Sequence, residues 1–209
     1  MIKQKFKAVF FDWDNTLVDT WPTLFKATNV TLKHFGRAEI SMEEVKIRAR
    51  LSSRESFPKL FGNDWKEALD VFYKSINENK KDIKLYDGTL PLLNSLKKAE
   101  KIIAIISNKK GGLLREEIEL FNIPADLVLG SGDTAFDKPN PEMGLVALEH
   151  FKLNASDTVY IGDSITDWEF AKNLNMAAIA IGDDDYDGQL FARFETVSES
   201  ISELLCFPI

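Results

Sequence analysis

Two aspartates separated by one residue, Asp12 and Asp14, directly follow the apolar run Ala8–Phe11. A run of this kind is typical of a strand that is buried on both faces. The two carboxylates therefore lie where a strand leaves the core, and in open α/β sheets this carboxyl edge is where ligands bind. Because aspartate is disfavoured within strands, the pair indicates chemistry more than folding.

Three further sets of polar residues come at or after later apolar runs of the chain. They are Ser107 and Asn108 after the second run, Lys138 in a loop after the third, and Asp163 and Asp167 after the fourth. If the runs are parallel strands of one sheet, their carboxyl ends share one edge, and these polar groups can converge there.

Several carboxylates at one edge would repel one another and raise each other's pKa values. A hard divalent cation removes that conflict, and Mg²⁺ needs only a few aspartate oxygens because it keeps several waters. The histidines of the chain, His34 and His150, are not near these motifs, so a zinc site is not indicated. With Mg²⁺ in place, a lysine and a hydroxyl would suit a phosphoryl group, and a nearby aspartate could attack its phosphorus to give an aspartyl-phosphate.

Five short apolar runs predict the strands that position these residues. The runs are Ala8–Phe11, Ile102–Ile106, Leu127–Leu129, Val159–Ile161 and Ala177–Ile181. From the second run onwards, helical apolar patterns separate them, over Leu113–Phe121 and over Glu142–Phe151. This alternation predicts an α/β fold with a doubly wound parallel sheet.

The stretch between the first two runs is too long for a single crossover and has helical patterns throughout. Its first helix is indicated by the apolar spacing of Trp21, Leu24, Thr28, Leu32 and Phe35. Ser41 and Glu44 form a capping-box pattern before a second helix. We predict a helical domain over residues 20–86, inserted into an α/β core made of residues 1–19 and 87–209.

Four motifs, taken together, resemble those of the haloacid dehalogenase superfamily. They are Asp12-x-Asp14-x-Thr16-Leu17-x-Asp19, the strand end Ser107-Asn108, Lys138-Pro139-x-Pro141, and Gly162-Asp163-x-x-x-Asp167. The motifs occur in the family's order and spacing, and the likeness covers essentially the whole chain. The helical insert is similar to the family's smaller α-helical cap, and the overall likeness is to the phosphoglycolate phosphatase-like branch.

The resemblance implies catalytic roles for the matching residues. Asp12 would be the nucleophile. Asp14 would protonate the leaving oxygen and later take a proton from the water that hydrolyses the aspartyl-phosphate. Ser107 and the main chain of Asn108 would hold the phosphoryl oxygens, and Lys138 would stabilise their charge.

The same resemblance implies a set of magnesium ligands. These would be the Asp12 carboxylate, the main-chain carbonyl of Asp14 and the Asp163 carboxylate, with Asp167 supporting the metal directly or through water. The family most often has glycine after the second aspartate, where this chain has Asn15. A positive φ at this position would explain the choice, because asparagine tolerates that conformation better than other non-glycine residues.

Three arginines in the insert, Arg48, Arg50 and Arg54, flank a pair of serines. They fit a solvated basic helix end. Alternatively, one of them, Arg54 before the others, binds an anionic group on the substrate, which would suit a small phosphorylated acid.

An acidic segment near the end of the chain matches the opening of a calcium-binding loop, with Asp183, Asp185, Asp187 and Gly188 at the appropriate positions. The bidentate glutamate of such a loop would fall at Phe194, however. We therefore favour an acidic surface loop over a calcium site.

The composition limits the partners. The 209 residues include 26 Lys and Arg against 33 Asp and Glu, which gives a formal net charge of −7. No basic cluster forms a long face, so we expect no nucleic-acid partner. No segment approaches the roughly 18 consecutive apolar residues of a spanning helix, so we expect no membrane partner.

The location and assembly are expectations of the same kind. Residues Met1–Lys7 lack the apolar core of a secretory leader. Cys206 is the only cysteine, which excludes an intramolecular disulfide and fits a reducing cytoplasm. We expect a cytoplasmic protein that is a monomer or a weak homodimer.

The function predicted from these observations is a Mg²⁺-dependent phosphatase. Its substrate would be a small phosphorylated metabolite, phosphoglycolate-like or a sugar phosphate, and its intermediate an aspartyl-phosphate. Dehalogenation is disfavoured because a halide leaves without needing a proton, so the reaction would not need Asp14 as a general acid. Two alternatives stay open: a phosphomutase with the same chemistry, and a catalytically silent binding or regulatory member of the same fold.

Overall fold

The computed structural model describes residues 6–182, 192–197 and 199. The acidic segment considered for calcium, from Asp183 to Gly188, lies outside the described residues. So do Cys206 and the first five residues of the chain.

The described residues form eight strands and eight α-helices. The strands are β1 (Ala8–Phe11), β2 (Val18–Asp19), β3 (Lys84–Leu85), β4 (Ile102–Lys110), β5 (Leu127–Ser131), β6 (Thr158–Gly162), β7 (Ala177–Ile181) and β8 (Ala192–Phe194). The helices are α1 (Trp21–His34), α2 (Met42–Arg48), α3 (Ser53–Phe61), α4 (Trp65–Glu78), α5 (Thr89–Lys98), α6 (Gly111–Leu120), α7 (Glu142–Phe151) and α8 (Ile165–Asn173). Short 3₁₀ turns occur at Gly62–Asp64, Lys80–Asp82 and Ala155–Asp157.

Six of the strands form one parallel sheet in the order β5-β4-β1-β6-β7-β8. On one side of β1 lie β4 and then β5. The chain then crosses to the other side of β1, where β6, β7 and β8 follow in order. The direction of building therefore reverses between β1 and β6, and ligands bind at such a reversal in open α/β sheets. The predicted α/β fold with a doubly wound parallel sheet is confirmed.

The central strand β1 is covered on both faces, as its sequence predicts. Phe10 packs in one hydrophobic cluster with Met143 of α7 and Phe170 of α8. Val9 and Phe11 point to the other face because side chains alternate along a strand, and both are also buried. The loop that leaves β1 consequently starts from a rigid position.

Three strands, β2, β3 and β8, were not predicted, and β4 is longer than predicted. β4 continues to Lys110, so Ser107 and Asn108 lie within the strand and not after it. The pairing of β4 with β5 shifts between Ile106 and Lys110, so the ladder is irregular where these two residues lie. β8 was not predicted, because its three residues, Ala-Arg-Phe, form no apolar run.

The chain divides into two compact units, one made of residues 1–17 and 85–209 and the other of residues 18–84. The two short strands β2 and β3, at the junctions, pair as a separate two-stranded sheet.

The helical unit, residues 18–84, contains α1 to α4. The predicted capping box at the start of α2 is present: the Ser41 hydroxyl accepts from Glu44 N at 3.2 Å, and the Glu44 carboxylate accepts from Ser41 N at 3.0 Å. α1 packs on α4. The rings of Phe57 and Phe72 meet edge to face, with centroids 5.1 Å apart, and join α3 to α4.

None of the helices in the described part of the chain has both the length and the apolarity that crossing a membrane requires.

Candidate active site

Three carboxylates converge where β1 and β6 end. Asp12 follows β1, Asp163 follows β6, and Asp167 lies in the first turn of α8. Each offers one oxygen, and these oxygens all lie within 4.8 Å of one another. The N–H of Asp12 donates to the carbonyl of Ile161 at 2.8 Å, which ties the loop after β1 to the end of β6.

The charges of this acidic cluster are only partly compensated by the protein. Burial raises the pKa of Asp12 to about 7, although the charge of Lys138 acts in the opposite direction. Burial, and then the charges of Asp167 and Asp12, hold the pKa of Asp163 well above its ordinary value. A cation among the three oxygens would offset these effects, and an oxygen-only donor set suits Mg²⁺. The cluster therefore fits a hard divalent cation.

Lys138 lies within the same cluster, and its side chain is only 2% exposed. Its ammonium donates to Asp12 Oδ1 at 2.7 Å, to Asp167 Oδ1 at 2.6 Å and to Tyr160 Oη at 2.8 Å. These bonds use all three donors of an ammonium group. Burial alone would lower the pKa of Lys138, but the charges of Asp12 and Asp167 outweigh burial and raise it. Lys138 therefore stays a cation beside Asp12.

Tyr160, in the middle of β6, was not identified from the sequence. Its hydroxyl donates to the carbonyl of Ile106 at 2.8 Å and accepts from Lys138. A tyrosine inside the apolar run Val159–Ile161 is a usable signal, because a buried hydroxyl needs a hydrogen-bond partner. Tyr160 thus links the end of β4 to the lysine.

Asn108 holds the Lys138 loop through its side chain. Its Oδ1 accepts from Lys138 N at 2.8 Å, and its Nδ2 donates to the Lys138 carbonyl at 2.9 Å. The neighbouring Ser107 is buried, and its hydroxyl accepts from Lys109 N at 3.3 Å. The Asn108 amide is therefore occupied by support of the loop, and only its main chain matches the phosphoryl-binding role that the resemblance implies.

Asp167 serves two neighbours at once. One carboxylate oxygen faces Lys138, and the other accepts from Ser164 N at 3.1 Å and from Ser164 Oγ at 2.6 Å. A Cβ on Gly162 would lie 2.3 Å from the Asp167 carboxyl carbon, so only glycine permits this approach. The glycine of the fourth motif is thus explained by the position of the aspartate five residues later.

The turn after the first aspartate shapes the other side of the cluster. Asn15 has a φ of 62°, which confirms the positive φ expected there. The turn brings Thr16 toward β6, and its hydroxyl donates to Asp163 Oδ1 at 3.0 Å. The Thr16 hydroxyl thereby orients a carboxylate of the acidic cluster.

The second aspartate, Asp14, pairs with Lys109, which was not predicted from the sequence. Lys109 Nζ lies 2.8 Å from Asp14 Oδ1 and 2.9 Å from Glu117 Oε1. Trp13 Nε1 donates to Glu117 Oε2 at 2.6 Å. One signal was available: Glu117 falls three residues after the buried Leu114, on the buried face of α6.

Arg54, the remaining predicted residue, belongs to the helical unit and is the second residue of α3. Its role stays a prediction.

In chemical terms, the core unit offers a carboxylate that can act as a nucleophile beside a buried ammonium group. A second carboxylate lies two positions along the same loop, and the acidic cluster can hold a divalent cation. These are the groups that phosphoryl transfer to an aspartate requires, because its transition state needs an attacking oxygen, an acid and compensation of negative charge.

Comparison with known proteins agrees with this geometry. Residues 9–181 match the family model of the haloacid dehalogenase-like hydrolases. A phosphoglycolate phosphatase of Nitrosospira multiformis is 30% identical over 79% of this chain and 78% of its own length. The pyrophosphatase PpaX of Bacillus velezensis is 25% identical over 98% of this chain and 97% of its own.

Among solved structures, a hydrolase of the same superfamily from Ehrlichia chaffeensis is 31% identical, with a TM-score of 0.66 over 97% of this chain and 98% of its own. The expected resemblance is thus confirmed by a family model, by relatives and by a related structure. The chain belongs to the haloacid dehalogenase-like hydrolases, in their phosphoglycolate phosphatase-like branch, and is a phosphatase, that is, a phosphoric monoester hydrolase.

Proposed function

We propose that this phosphatase depends on Mg²⁺ and hydrolyses a small phosphorylated metabolite through an aspartyl-phosphate on Asp12. The observation that carries the proposal is the position of Lys138, whose ammonium lies 2.7 Å from Asp12 and 2.6 Å from Asp167 in a buried site. Buried ion pairs contribute little net stability because of their desolvation cost. Such a group at the ligand-binding edge of the sheet therefore supports a catalytic role.

In the first half-reaction, an Asp12 carboxylate oxygen attacks the phosphorus and a new P–O bond forms. The bond from phosphorus to the leaving oxygen breaks, and Asp14 gives its proton to that oxygen, so that a neutral alcohol departs. The Lys138 cation stabilises negative charge on the transferred group. We assign the Ser107 hydroxyl and the Asn108 main chain to the phosphoryl oxygens.

In the second half-reaction, water attacks the phosphorus of the aspartyl-phosphate. Asp14, now a carboxylate, takes a proton from that water. The P–O bond to Asp12 breaks, and inorganic phosphate and the free Asp12 carboxylate result.

We assign the carboxylates of Asp12 and Asp163 and the main-chain carbonyl of Asp14 as magnesium ligands, with Asp167 acting directly or through water. When bound, Mg²⁺ supplies positive charge that offsets the phosphoryl oxygens and the surrounding carboxylates. The hydrogen bond from Thr16 to Asp163, 3.0 Å long, supports this assignment because it fixes one ligand.

We propose a phosphoglycolate-like acid or a sugar phosphate as the substrate. The Nitrosospira relative is named a phosphoglycolate phosphatase, which supports a phosphoglycolate-like acid. The helical segment 20–86 would be the cap domain, and Arg54 would bind an anionic group of the substrate. Both assignments rest on the family resemblance and on the positive charge of the arginine.

We further propose that the protein works in the cytoplasm as a monomer or a weak homodimer, with neither a nucleic-acid nor a membrane partner. The net charge of −7 supports the absence of a nucleic-acid partner, because phosphate backbones would be repelled.

Substitution of the nucleophile tests the proposal. With Mg²⁺ and a panel of phosphoglycolate, sugar phosphates and pyrophosphate, Asp12→Asn should lower phosphate release by about 10³-fold or more, because an amide cannot form the intermediate. Phosphate release is measured by colorimetry, and far-ultraviolet circular dichroism verifies the fold. Asp64→Asn is the matched control, since Asp64 is exposed in the helical unit.

The alternatives give different results in the same assay. Substantial turnover by Asp12→Asn would remove this residue as the nucleophile. Formation of an isomeric sugar phosphate without free phosphate would identify a phosphomutase. Binding of a phosphate analogue without any turnover by the wild type would identify a silent member of the family.

A further inference from the structure

Four side chains near the second aspartate form a closed chain of contacts, here called the Asp14 ring: Trp13, Asp14, Lys109 and Glu117. Trp13 Nε1 donates to Glu117 at 2.6 Å, Glu117 pairs with Lys109 at 2.9 Å, and Lys109 pairs with Asp14 at 2.8 Å. Because Trp13 and Asp14 are consecutive, the ring returns to the loop from which it starts.

The ring connects three elements of the core unit. Trp13 and Asp14 belong to the loop after β1, Lys109 lies near the end of β4, and Glu117 lies on α6. β1 and β4 are paired in the sheet, with Phe11 opposite Ile105. Asp14 is therefore fixed from a neighbouring strand and from a helix, in addition to its own loop.

The ring is largely shielded from water. The side chains of Lys109 and Glu117 are 8% and 6% exposed, and that of Asp14 is 20% exposed. Lys109 Nζ lies within 3 Å of a carboxylate oxygen of each of Asp14 (2.8 Å) and Glu117 (2.9 Å), and an ammonium group, which only donates, suits two such acceptors. An ammonium paired to a single buried glutamate would already be neutralised. Its additional bond to the more exposed Asp14 therefore calls for an explanation beyond folding.

The contacts of Asp14 provide that explanation. Lys109 binds its Oδ1, and within the described residues no hydrogen bond reaches its Oδ2. The lysine thus fixes the rotation of the carboxyl group and leaves one oxygen for a proton transfer. General acid catalysis requires this transfer to occur over hydrogen-bond distance, so orientation of the acid affects its rate directly.

We propose that Lys109 is a positioning residue for Asp14, and that Glu117, held by Trp13, keeps Lys109 in place. The inference rests on the proposed function, in which Asp14 protonates the leaving oxygen. Lys109 does not touch the reacting phosphoryl group; it acts through the aspartate.

A leaving-group comparison separates this role from a structural one. p-Nitrophenolate leaves readily without a proton, whereas the alkoxide of an alkyl phosphate needs one. Lys109→Met should therefore lower kcat for the best alkyl phosphate by about 10- to 100-fold, lower kcat for p-nitrophenyl phosphate by about 3-fold or less, and change KM little for both. Lys110→Met, at the neighbouring exposed position, is the matched control.

A double-substitution cycle strengthens the test. Asp14→Asn should show the same dependence on the leaving group. In the Asp14→Asn background, Lys109→Met should cause little further loss on the alkyl phosphate, because its effect passes through Asp14. Glu117→Gln keeps an acceptor for Trp13 and is the milder variant if Lys109→Met fails to fold. It should show a smaller loss with the same preference for the alkyl substrate.

Three outcomes would overturn the inference. An equal loss on both substrates would indicate a structural role, a rise in KM would indicate substrate binding, and a full additional loss in the Asp14→Asn background would indicate an independent action. In each case the wild type is active, so the proposed function stands. Absence of phosphate release by the wild type from every ester would overturn the proposed function, and this inference with it.

Discussion

Lys138 determines the charge balance of the active site at the scale of a single residue. Its ammonium compensates two buried carboxylates, Asp12 and Asp167, and is held by the Tyr160 hydroxyl. A neutral side chain cannot replace this group, because its removal leaves two buried negative charges without the cation that offsets their desolvation.

We therefore expect Lys138→Met to abolish activity and to lower the free energy of unfolding by about 3 kcal/mol without divalent cation. Mg²⁺ should restore part of that stability, because a cation among Asp12, Asp163 and Asp167 replaces the lost charge. Urea unfolding with chelator and with Mg²⁺ measures both effects. The control is Lys7→Met, which removes an exposed pair with Asp157 and should cost less than about 1 kcal/mol. A loss as small as the control's would contradict this account.

The site residues differ in how far the sequence alone could predict them. Asp12 and Asp163 were predicted because each directly follows an apolar strand, where a local pattern marks its place. Lys109 and Glu117 were missed because they meet only through the pairing of β1 with β4 and the rotation of α6 on the sheet. Local patterns therefore predict side chains at strand ends better than side chains that meet only through tertiary packing.

At the scale of elements, α1 shows the limit of apolar spacing. Its start was predicted, and Leu32 of the predicted apolar pattern is buried, but the rest of the buried face is different. The structure buries Thr23, Ala27 and Thr31, whereas Trp21 and Leu24 are half-buried. Small residues allow close approach, and α1 packs on α4. A pattern of large apolar residues does not predict the burial of these small ones.

Asp133 joins two elements of the core unit, α6 and the end of β5. Its carboxylate accepts from Arg115 at 2.7 Å and from Gly130 N at 2.8 Å. Burial tends to raise the pKa of Asp133, but these hydrogen bonds outweigh burial and hold its pKa below the ordinary value. A carboxyl whose pKa is lower in the folded state stabilises the fold above its unfolded pKa, and this contribution is lost as the pH falls through the folded pKa.

Asp133→Asn should accordingly lower the free energy of unfolding by about 1 kcal/mol near neutral pH, with allowance for the exposed arginine. The difference from the wild type should stay constant down to about pH 5 and shrink below about pH 4. Urea unfolding across this range measures it. Asp64→Asn, at an exposed position where the side chain does not cap α4, is the matched control. If the difference in free energy of unfolding between the wild type and Asp133→Asn grew as the pH fell, the lowered pKa of Asp133 would not be its cause.

At the scale of the whole molecule, a bound cation should stabilise the entire fold, because it binds the folded chain and not the unfolded one. At about 100 times its dissociation constant, Mg²⁺ should add about 2.7 kcal/mol, or roughly 5–10 °C in Tm. Asp163→Ala should abolish this shift. Differential scanning fluorimetry measures it, and Asp157→Ala, outside the acidic cluster, is the matched control. An unchanged Mg²⁺ shift in Asp163→Ala would exclude this residue as a ligand.

The bond between Lys138 and Asp12 joins residues 126 positions apart in the chain. During synthesis, a chain that has emerged only through β4 carries Asp12, the proposed nucleophile, but not Lys138, its counter-cation. Closing so long a loop costs conformational entropy. The contact becomes favourable only when the later strands are in place and offset this entropy loss. Under the proposed mechanism, we therefore expect phosphatase activity only after the segment that carries Lys138 has joined the sheet, and we expect an incomplete or locally opened chain to be inactive.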